Sequence, residues 1–141
     1  MTEALYQAEI VARARAGAAD SRLEPHDARA ALDNPLCGDR ITLDLRLAHA
    51  TVTALGHRTR GCALCQASAE TLRRCIPGQG ADAARGARDA VRAYLAGGEL
   101  PSPLADYAAF APVRDYPSRH GCVLLPLDAL VEALTQPGPT A

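Results

Sequence analysis

The chain has 141 residues and a formal net charge of -1, from 15 basic and 16 acidic side chains. Every basic residue is an arginine, which excludes Schiff-base chemistry and a P-loop lysine. Near-neutral charge, one Phe and no Trp leave no basic field or stacking surface for nucleic acid, and no charge for an anionic membrane. The first residues lack a signal-peptide pattern, and no apolar run approaches the roughly 18 residues of a membrane span. We therefore expect one cytoplasmic domain over residues 1–141.

The first half of the chain predicts a helix, a turn and a hairpin. Residues 3–18 are rich in helix formers and moderately amphipathic, so we expect a helix there. Pro35 pushes the residue before it out of the helical region, which favours a turn at residues 37–39. Residues 41–47 alternate apolar and polar side chains, and residues 51–60 continue with β-favouring types. The pattern indicates an antiparallel hairpin with one buried face.

The second half predicts helices separated by a long loop. A helix should open at Cys62 and run to Cys75, and another should cover Asp82–Ala96. Residues 99–118 contain four prolines, so we expect a long loop or short turns there. Pro126 suits the first turn of a last helix that runs to about Thr135.

Three motifs place well-separated cysteines in turns or at helix starts. They are Asn34-Pro35-Leu36-Cys37-Gly38-Asp39, Gly61-Cys62-Ala63-Leu64-Cys65-Gln66-Ala67-Ser68 and Arg119-His120-Gly121-Cys122-Val123-Leu124-Leu125-Pro126. Five cysteines without a secretory signal argue against a disulfide framework, so these thiols are expected to be free. Three sulfurs from Cys37, Cys62 and Cys122 with one oxygen from Asp39 would satisfy tetrahedral zinc, and the same thiolates suit an iron–sulfur cluster.

Simpler explanations exist for the individual cysteines. Any one of them could be a small buried hydrophobic residue. Cys62-x-x-Cys65 could be a redox pair or half of a zinc ribbon, but no second CxxC completes a ribbon, and the preceding strand belongs to a hairpin rather than a βαβ unit. Three cysteines in turn or helix-start contexts, one of them beside Asp39, favour the metal site.

The three motifs resemble those of the U-type iron–sulfur cluster assembly proteins, the group of NifU N-terminal domains, IscU and SufU. The resemblance covers most of residues 5–134. It implies an α+β fold of the SufE/NifU-like kind, a small antiparallel β-sheet flanked by helices. It also implies a site built from Cys37, Asp39, Cys62 and Cys122. Cys65 falls where the family usually has a serine or another small residue, so it is an extra thiol.

Within this family the chain looks most similar to the SufU branch. The IscU branch carries a Leu-Pro-Pro-Val-Lys chaperone motif before its last cysteine, whereas this chain has Tyr-Pro-Ser-Arg-His-Gly at residues 116–121. The segment between Cys62 and Cys122 is also longer than in the IscU branch, with the surplus around residues 79–103. SufU-like members hold zinc firmly and take persulfide sulfur from a SufS-like cysteine desulfurase.

The resemblance leaves two main functions open. The first is a SufU-like, zinc-containing sulfur acceptor with transferase character, in which Cys37 receives sulfur from the desulfurase and passes it to a downstream SUF scaffold or to apo iron–sulfur proteins. The second is a non-enzymatic, IscU-like scaffold that assembles and transfers a [2Fe–2S] cluster, with Asp39 as a weak oxygen ligand. A structural zinc domain that binds proteins is a third interpretation.

Several other side chains are given lesser roles. IscU-like chains place a histidine directly before the last cysteine, but here Gly121 intervenes, so we expect His120 in a solvated loop. His26, His49 and His57 are expected at the surface. Cys65 and Cys75 should be dispensable for metal binding, although Cys65 lies one helical turn from Cys62 and could reach the site.

Overall fold

The computed structural model describes residues 7–36 and 38–135, and the elements named here belong to that part of the chain. The strands are β1 (Ala28–Asn34), β2 (Asp39–Ala48) and β3 (Thr51–Arg60). The helices are α1 (Ala8–Gly17), α2 (Ala63–Cys75), α3 (Ala81–Arg85), α4 (Ala87–Leu95) and α5 (His120–Thr135), with 3-10 segments at Ser102–Asp115 and Pro117–Arg119. None of the helices in these ranges has the length and hydrophobicity to cross a membrane.

The sheet is antiparallel throughout and has the order β1-β2-β3. The predicted hairpin is confirmed as β2 and β3, joined through His49 and Ala50 with φ of 52° and 62°, the left-handed geometry of a tight hairpin turn. β1 is not predicted by the sequence pattern, because its alanines have little β preference. Pairing with β2, for example Leu32 opposite Ile41, makes this segment a strand.

One face of the sheet packs on the helices, which gives the predicted α+β architecture. Alternation along β2 turns Ile41, Leu43 and Leu45 inward, and all three are fully buried. α2 and α5 lie against this inner face, and α1 packs along α2. His57 is directly opposite Leu43 and is also fully buried, so the expectation that it lies at the surface is wrong.

The helices differ from the predictions mainly at their ends. The helix expected over residues 3–18 is observed as Ala8–Gly17, and residues 1–6 lie outside the described part. The helix expected over Asp82–Ala96 is two helices that meet at Gly86. The proline-rich stretch forms short 3-10 turns over Ser102–Asp115, in place of an irregular loop.

The last helix begins earlier than predicted. α5 starts at His120, so Pro126 is its seventh residue and not part of its first turn. The 3-10 turn Pro117–Arg119 leads directly into α5, and His120 Nε2 lies 2.9 Å from the Val113 carbonyl oxygen. The segment is helical because eight other apolar residues of α5 are buried, and this packing outweighs the local effect of proline.

Hydroxyl groups connect α2, the 3-10 segment and α5 inside the core. Ser68 Oγ donates to the Val123 carbonyl at 2.6 Å and lies 3.0 Å from the Tyr107 hydroxyl. The Tyr107 hydroxyl in turn donates to the Ser68 carbonyl at 3.0 Å. Because all three groups are buried, these bonds satisfy polar atoms that would otherwise be costly, and they fix α5 beside α2.

The contact between α1 and α2 requires a glycine. A Cβ atom on Gly17 would lie 2.2 Å from the Gln66 carbonyl oxygen, well inside van der Waals distance. Gly86 offers a matched comparison, because its φ is -79° and a Cβ there would meet nothing closer than 3.4 Å.

We therefore expect Gly17→Ala to lower the free energy of unfolding by about 1–3 kcal/mol, the usual cost of overpacking. Gly86→Ala should leave it unchanged or raise it by about 0.4–1 kcal/mol, because alanine restricts the unfolded chain. Urea unfolding followed by circular dichroism measures both. A Gly17→Ala protein as stable as the wild type would show that α1 does not pack on α2 as described.

Candidate metal centre

Three of the four predicted ligands meet at one end of the sheet. Asp39 is the first residue of β2, Cys62 is the residue that caps α2, and Cys122 lies in the first turn of α5. One carboxylate oxygen and the two sulfur atoms lie within 4.8 Å of one another. Among the described residues, this is the cluster of acidic, thiol or imidazole groups that could hold a metal ion.

The Asp39 carboxylate joins the start of β2 to the start of α2. Its Oδ1 accepts a hydrogen bond from the Cys62 backbone N–H at 2.8 Å, and the Cys62 thiol lies 3.5 Å from its Oδ2. Asp39 is only 1% exposed. The carboxylate is therefore held in place by the backbone and aimed at the thiol.

Gly61 makes this approach possible. Its φ is +144°, in the region that favours glycine, and a Cβ atom would lie 2.1 Å from the Asp39 Oδ1. Any side chain at this position would displace the carboxylate. The sequence places Gly61 directly before Cys62 in the second cysteine motif, but the close approach of the Asp39 carboxylate to Gly61 has no signal in the sequence.

The Cys62 thiol occupies an environment that favours the thiolate. Its pKa is lowered, first by a hydrogen bond from Cys122 and then by the Cys65 backbone N–H, while burial and the neighbouring Asp39 carboxylate oppose the shift. That N–H lies 3.4 Å from the Cys62 sulfur, which acts as the cap of α2. The prediction that a helix opens at Cys62 is confirmed. A helix N-terminus with unpaired N–H groups stabilises negative charge at this sulfur.

Cys37, the fourth predicted ligand, lies outside the described residues, but its neighbours form the expected turn. The Gly38 N–H donates to the Asn34 carbonyl at 2.8 Å, and Gly38 has a φ of +73°. A Cβ on Gly121 would lie 3.3 Å from Asn34 Nδ2, so this turn is close to the first turn of α5. Asn34, whose carbonyl accepts the bond from Gly38, is therefore next to the helical turn that carries Cys122.

Cys65 and Cys75 are not part of the cluster. Cys65 is fully buried in the hydrophobic core. Cys75 is at the far end of α2, and burial, assisted by the charge of Asp106, raises its pKa to about 12. A thiol with this pKa is almost entirely protonated at neutral pH and is a poor ligand or nucleophile.

The histidines are also outside the cluster. His120 is at the start of α5, and its ring contacts the Val113 carbonyl. Buried His57 has Nδ1 at 2.8 Å from Thr59 Oγ1 and Nε2 at 3.8 Å from Glu70 Oε1. Desolvation lowers the His57 pKa, although the Glu70 charge opposes this. His57 therefore has a place in the core packing between β3 and α2.

The chemistry of the donor set suits a thiophilic metal or an iron–sulfur cluster. Two sulfurs and one carboxylate oxygen already converge, and a third thiol is carried by the adjacent turn. Soft thiolate ligands select zinc and iron–sulfur clusters over hard cations such as Mg²⁺. The fold and this site define a small α+β protein with a candidate metal centre made of cysteine and aspartate side chains.

Comparison with known proteins identifies the family. Residues 5–123 match the model of the NifU-like N-terminal domain, so the chain belongs to that family. It is an iron–sulfur cluster assembly protein of the NifU, IscU and SufU type. A search of curated protein sequences gave no significant match.

Two solved structures share the fold. A NifU-like protein (N-terminal) from Brucella abortus is 35% identical, with a TM-score of 0.83 and 94% of each chain covered. A protein from Fervidobacterium islandicum AW-1, described as a candidate iron–sulfur cluster assembly scaffold for the SUF system, is 24% identical. Its TM-score is 0.87, with 96% of this chain and 100% of that chain covered.

We expect one metal ion per chain, bound through Cys37, Asp39, Cys62 and Cys122. Serine at any of the three cysteines should remove most of the metal and lower the melting temperature. The reason is that a ligand bound only by the folded state adds about 4 kcal/mol of stability at a free concentration 1,000 times its Kd. Elemental analysis by mass spectrometry and thermal melts measure both effects.

Cys65→Ala and Cys75→Ser are the matched controls, with alanine at position 65 because a hydroxyl there would be buried in the core. Both should keep one metal ion per chain. Full occupancy in all three serine variants, or metal loss in the controls, would contradict the ligand assignment.

Proposed function

We propose that this protein is a zinc-containing sulfur acceptor of the SufU type, which takes persulfide sulfur from a SufS-like cysteine desulfurase. The observation that carries the proposal is the convergence of Asp39, Cys62 and Cys122 within 4.8 Å. With Cys37 from the adjacent turn, the set would be three sulfurs and one oxygen. That is the ligand number of tetrahedral zinc.

The segment between Cys62 and Cys122 supports the SufU branch. The surplus predicted around residues 79–103 contains α3 and α4, and both helices pack against α5. Ala84, Ala87 and Val91 from these helices are part of the hydrophobic core. The extra residues therefore form helices that belong to the hydrophobic core, and these helices support the helix that carries Cys122.

The residues of this chain would prepare the thiols for exchange. When bound, zinc would supply a redox-inert charge that keeps its cysteine ligands deprotonated. Asp39 holds the N-terminus of α2 through the Cys62 N–H, and Cys62 already has a lowered pKa. Cys37 differs from these residues, because its turn is next to a glycine in the left-handed region and to Leu36, which is 96% exposed.

The exposed residues on either side of Cys37, Leu36 and Gly38, favour Cys37 as the acceptor. The turn borders an open cleft of about 300 Å³, lined by Asp33, Asn34, Pro35, Gly38, Asp39 and Arg40. A loop of the desulfurase that carries a persulfide could enter at this position, whereas Cys122 is fully buried in α5. A thiolate needs this access in addition to a suitable pKa.

The transfer itself is a thiol exchange. The Cys37 thiolate attacks the outer sulfur of the desulfurase persulfide, and a new S–S bond forms at Cys37. The S–S bond of the desulfurase breaks, and its cysteine leaves as a thiolate. The proton of the persulfide stays on the transferred sulfur, so no external oxidant or reductant is needed. The sulfur would then pass to a downstream SUF scaffold or to apo iron–sulfur proteins.

We expect persulfide on Cys37 after incubation with the SufS-like desulfurase of the same organism and cysteine. Mass spectrometry of non-reduced peptides should find the added sulfur on Cys37 in the wild type and no transfer to Cys37→Ser. Cys75→Ser should accept as much sulfur as the wild type, since Cys75 is remote and protonated. Persulfide found chiefly on Cys122 would support the scaffold function. If Cys37, Cys62 and Cys122 all remained without persulfide, the proposed sulfur acceptance would be refuted.

A [2Fe–2S] scaffold is the second candidate, and the buried Asp39 carboxylate favours it. A carboxylate oxygen is a weak ligand for an iron–sulfur cluster, so it would make a cluster carried as cargo easy to release.

The variant Asp39→Ala separates the two functions. A zinc-dependent acceptor should lose zinc affinity and sulfur acceptance, whereas a scaffold should hold a reconstituted cluster for longer. Metal content, persulfide yield and the decay of visible absorbance measure these effects, with Asp89→Ala as the control because that carboxylate is exposed on α4. If Asp39→Ala changed none of them, Asp39 would be a turn residue that only accepts a backbone N–H.

A further inference from the structure

The outer face of the sheet carries a cluster of arginines at the end where the metal ligands converge. Arg40 on β2 is directly opposite Arg60 on β3, and Thr42 is opposite Arg58. Their neighbours Ile41 and Thr59 point the other way and are buried. The side chains of this arginine face therefore lie on the side of the sheet away from the helices.

The positive charge of this face is largely uncompensated. Like charges directly opposite each other on neighbouring strands destabilise a sheet. Arg40 has one carboxylate nearby, Asp33 at 3.4 Å, and both side chains are more than half exposed, so solvent screens that pair. Within residues 7–36 and 38–135, neither Arg58 nor Arg60 forms an ion pair.

This arrangement is local, not a consequence of overall composition. The net charge of the chain is -1, and more than half of the other arginines form ion pairs. For example, Arg22 contacts Asp20 at 2.7 Å, and Arg29 contacts buried Asp44 at 2.5 Å. A concentration of unpaired guanidinium groups on a near-neutral protein offers bidentate hydrogen bonds to carboxylates.

The arginine face has the shape and position of a contact surface. Arg40, Thr42, Arg58 and Arg60 line an open cleft of about 280 Å³. Arg40 directly follows Asp39, and Arg60 is two residues before Cys62. A protein that delivers sulfur to this end of the sheet would approach next to these side chains, with exposed Leu36 in the adjoining turn.

We propose that Arg40, Arg58 and Arg60 dock an acidic segment of the cysteine desulfurase close to its persulfide-bearing cysteine. This inference rests on the proposed sulfur-acceptor function. The charge of the face would steer the two proteins together and set their orientation. The cross-strand repulsion between Arg40 and Arg60 would be relieved when carboxylates of the partner come between them.

The experiment measures the Kd of the zinc-loaded protein for the SufS-like desulfurase of the same organism at low and at physiological salt. We expect the double variant Arg58→Gln, Arg60→Gln to raise the Kd about tenfold, and added salt to weaken wild-type binding in the same direction. The control double variant Arg15→Gln, Arg92→Gln changes the charge equally on helices and should stay within about twofold of the wild type.

Zinc content and melting temperature are measured for each variant. We expect the zinc content to be unchanged, and the melting temperature of the Arg58→Gln, Arg60→Gln protein to be unchanged or slightly raised, because the repulsion between Arg40 and Arg60 is removed. If the double variant loses zinc, the docking proposal is tested by the Kd of Arg60→Gln alone and by the salt dependence of the wild-type Kd. A Kd that is the same in the variant, the control and the wild type, or that does not respond to salt, would overturn the docking proposal.

The sulfur-acceptor function is tested separately by persulfide formation on the wild type at high desulfurase concentration. Sulfur transfer with an unchanged Kd in the arginine variant refutes only the docking surface. Absence of both transfer and binding refutes the proposed function and, with it, the docking surface. Binding of a 20-nucleotide single-stranded DNA in place of the desulfurase would also overturn the proposal, because it would assign the positive charge to nucleic acid.

Discussion

The hydrogen bond from the Cys62 N–H to the Asp39 carboxylate is the contact on which the site depends. It joins the first residue of β2 to the N-terminus of α2 at 2.8 Å, and the space for the carboxylate exists because residue 61 is a glycine without a Cβ atom. Burying a carboxylate costs free energy unless hydrogen bonds satisfy it. The backbone N–H groups at a helix N-terminus donate such bonds, so the Cys62 thiol is not needed for them. The same bond therefore stabilises the fold and keeps a carboxylate oxygen and a sulfur atom together.

The third donor is positioned by a different set of contacts. Ser68 in α2 bonds to the Val123 carbonyl, and Tyr107 bonds to Ser68, so α5 is aligned with α2 one residue after Cys122. These hydroxyl groups are fully buried, where hydrogen bonds are hard to replace by water. Asp39, Cys62 and Cys122 are far apart in the sequence. Their side chains meet because β2 and α5 are both hydrogen-bonded to α2.

The sequence predicts the parts of this structure that have a periodic or local signal. The alternation of β2 and β3 and the glycine before Cys62 indicate a hairpin followed by a helix, and the cysteine motifs bring Asp39, Cys62 and Cys122 together. β1 has no such signal, because its alanines become a strand only through pairing with β2. The buried position of His57 could have been inferred because His57 is two residues after Leu55 on β3 and therefore faces the same side of the sheet. The polar side chain of His57 conceals that pattern. The start of α5 depends on tertiary packing, which Pro126 alone does not reveal.

Pro126 has a mechanical consequence for Cys122, the candidate metal ligand four residues before it. In an α-helix the N–H of residue 126 would donate to the carbonyl of Cys122, but proline has no N–H, and its ring crowds that carbonyl. The first turn of α5 is therefore held less by its own helical bonds than by the buried side chains of Cys122 and Val123 and by the bond from Ser68 to the Val123 carbonyl. Because this support comes from the core, the position of the Cys122 sulfur is set by how α5 packs on α2, and a substitution that changed this packing would also move the thiol.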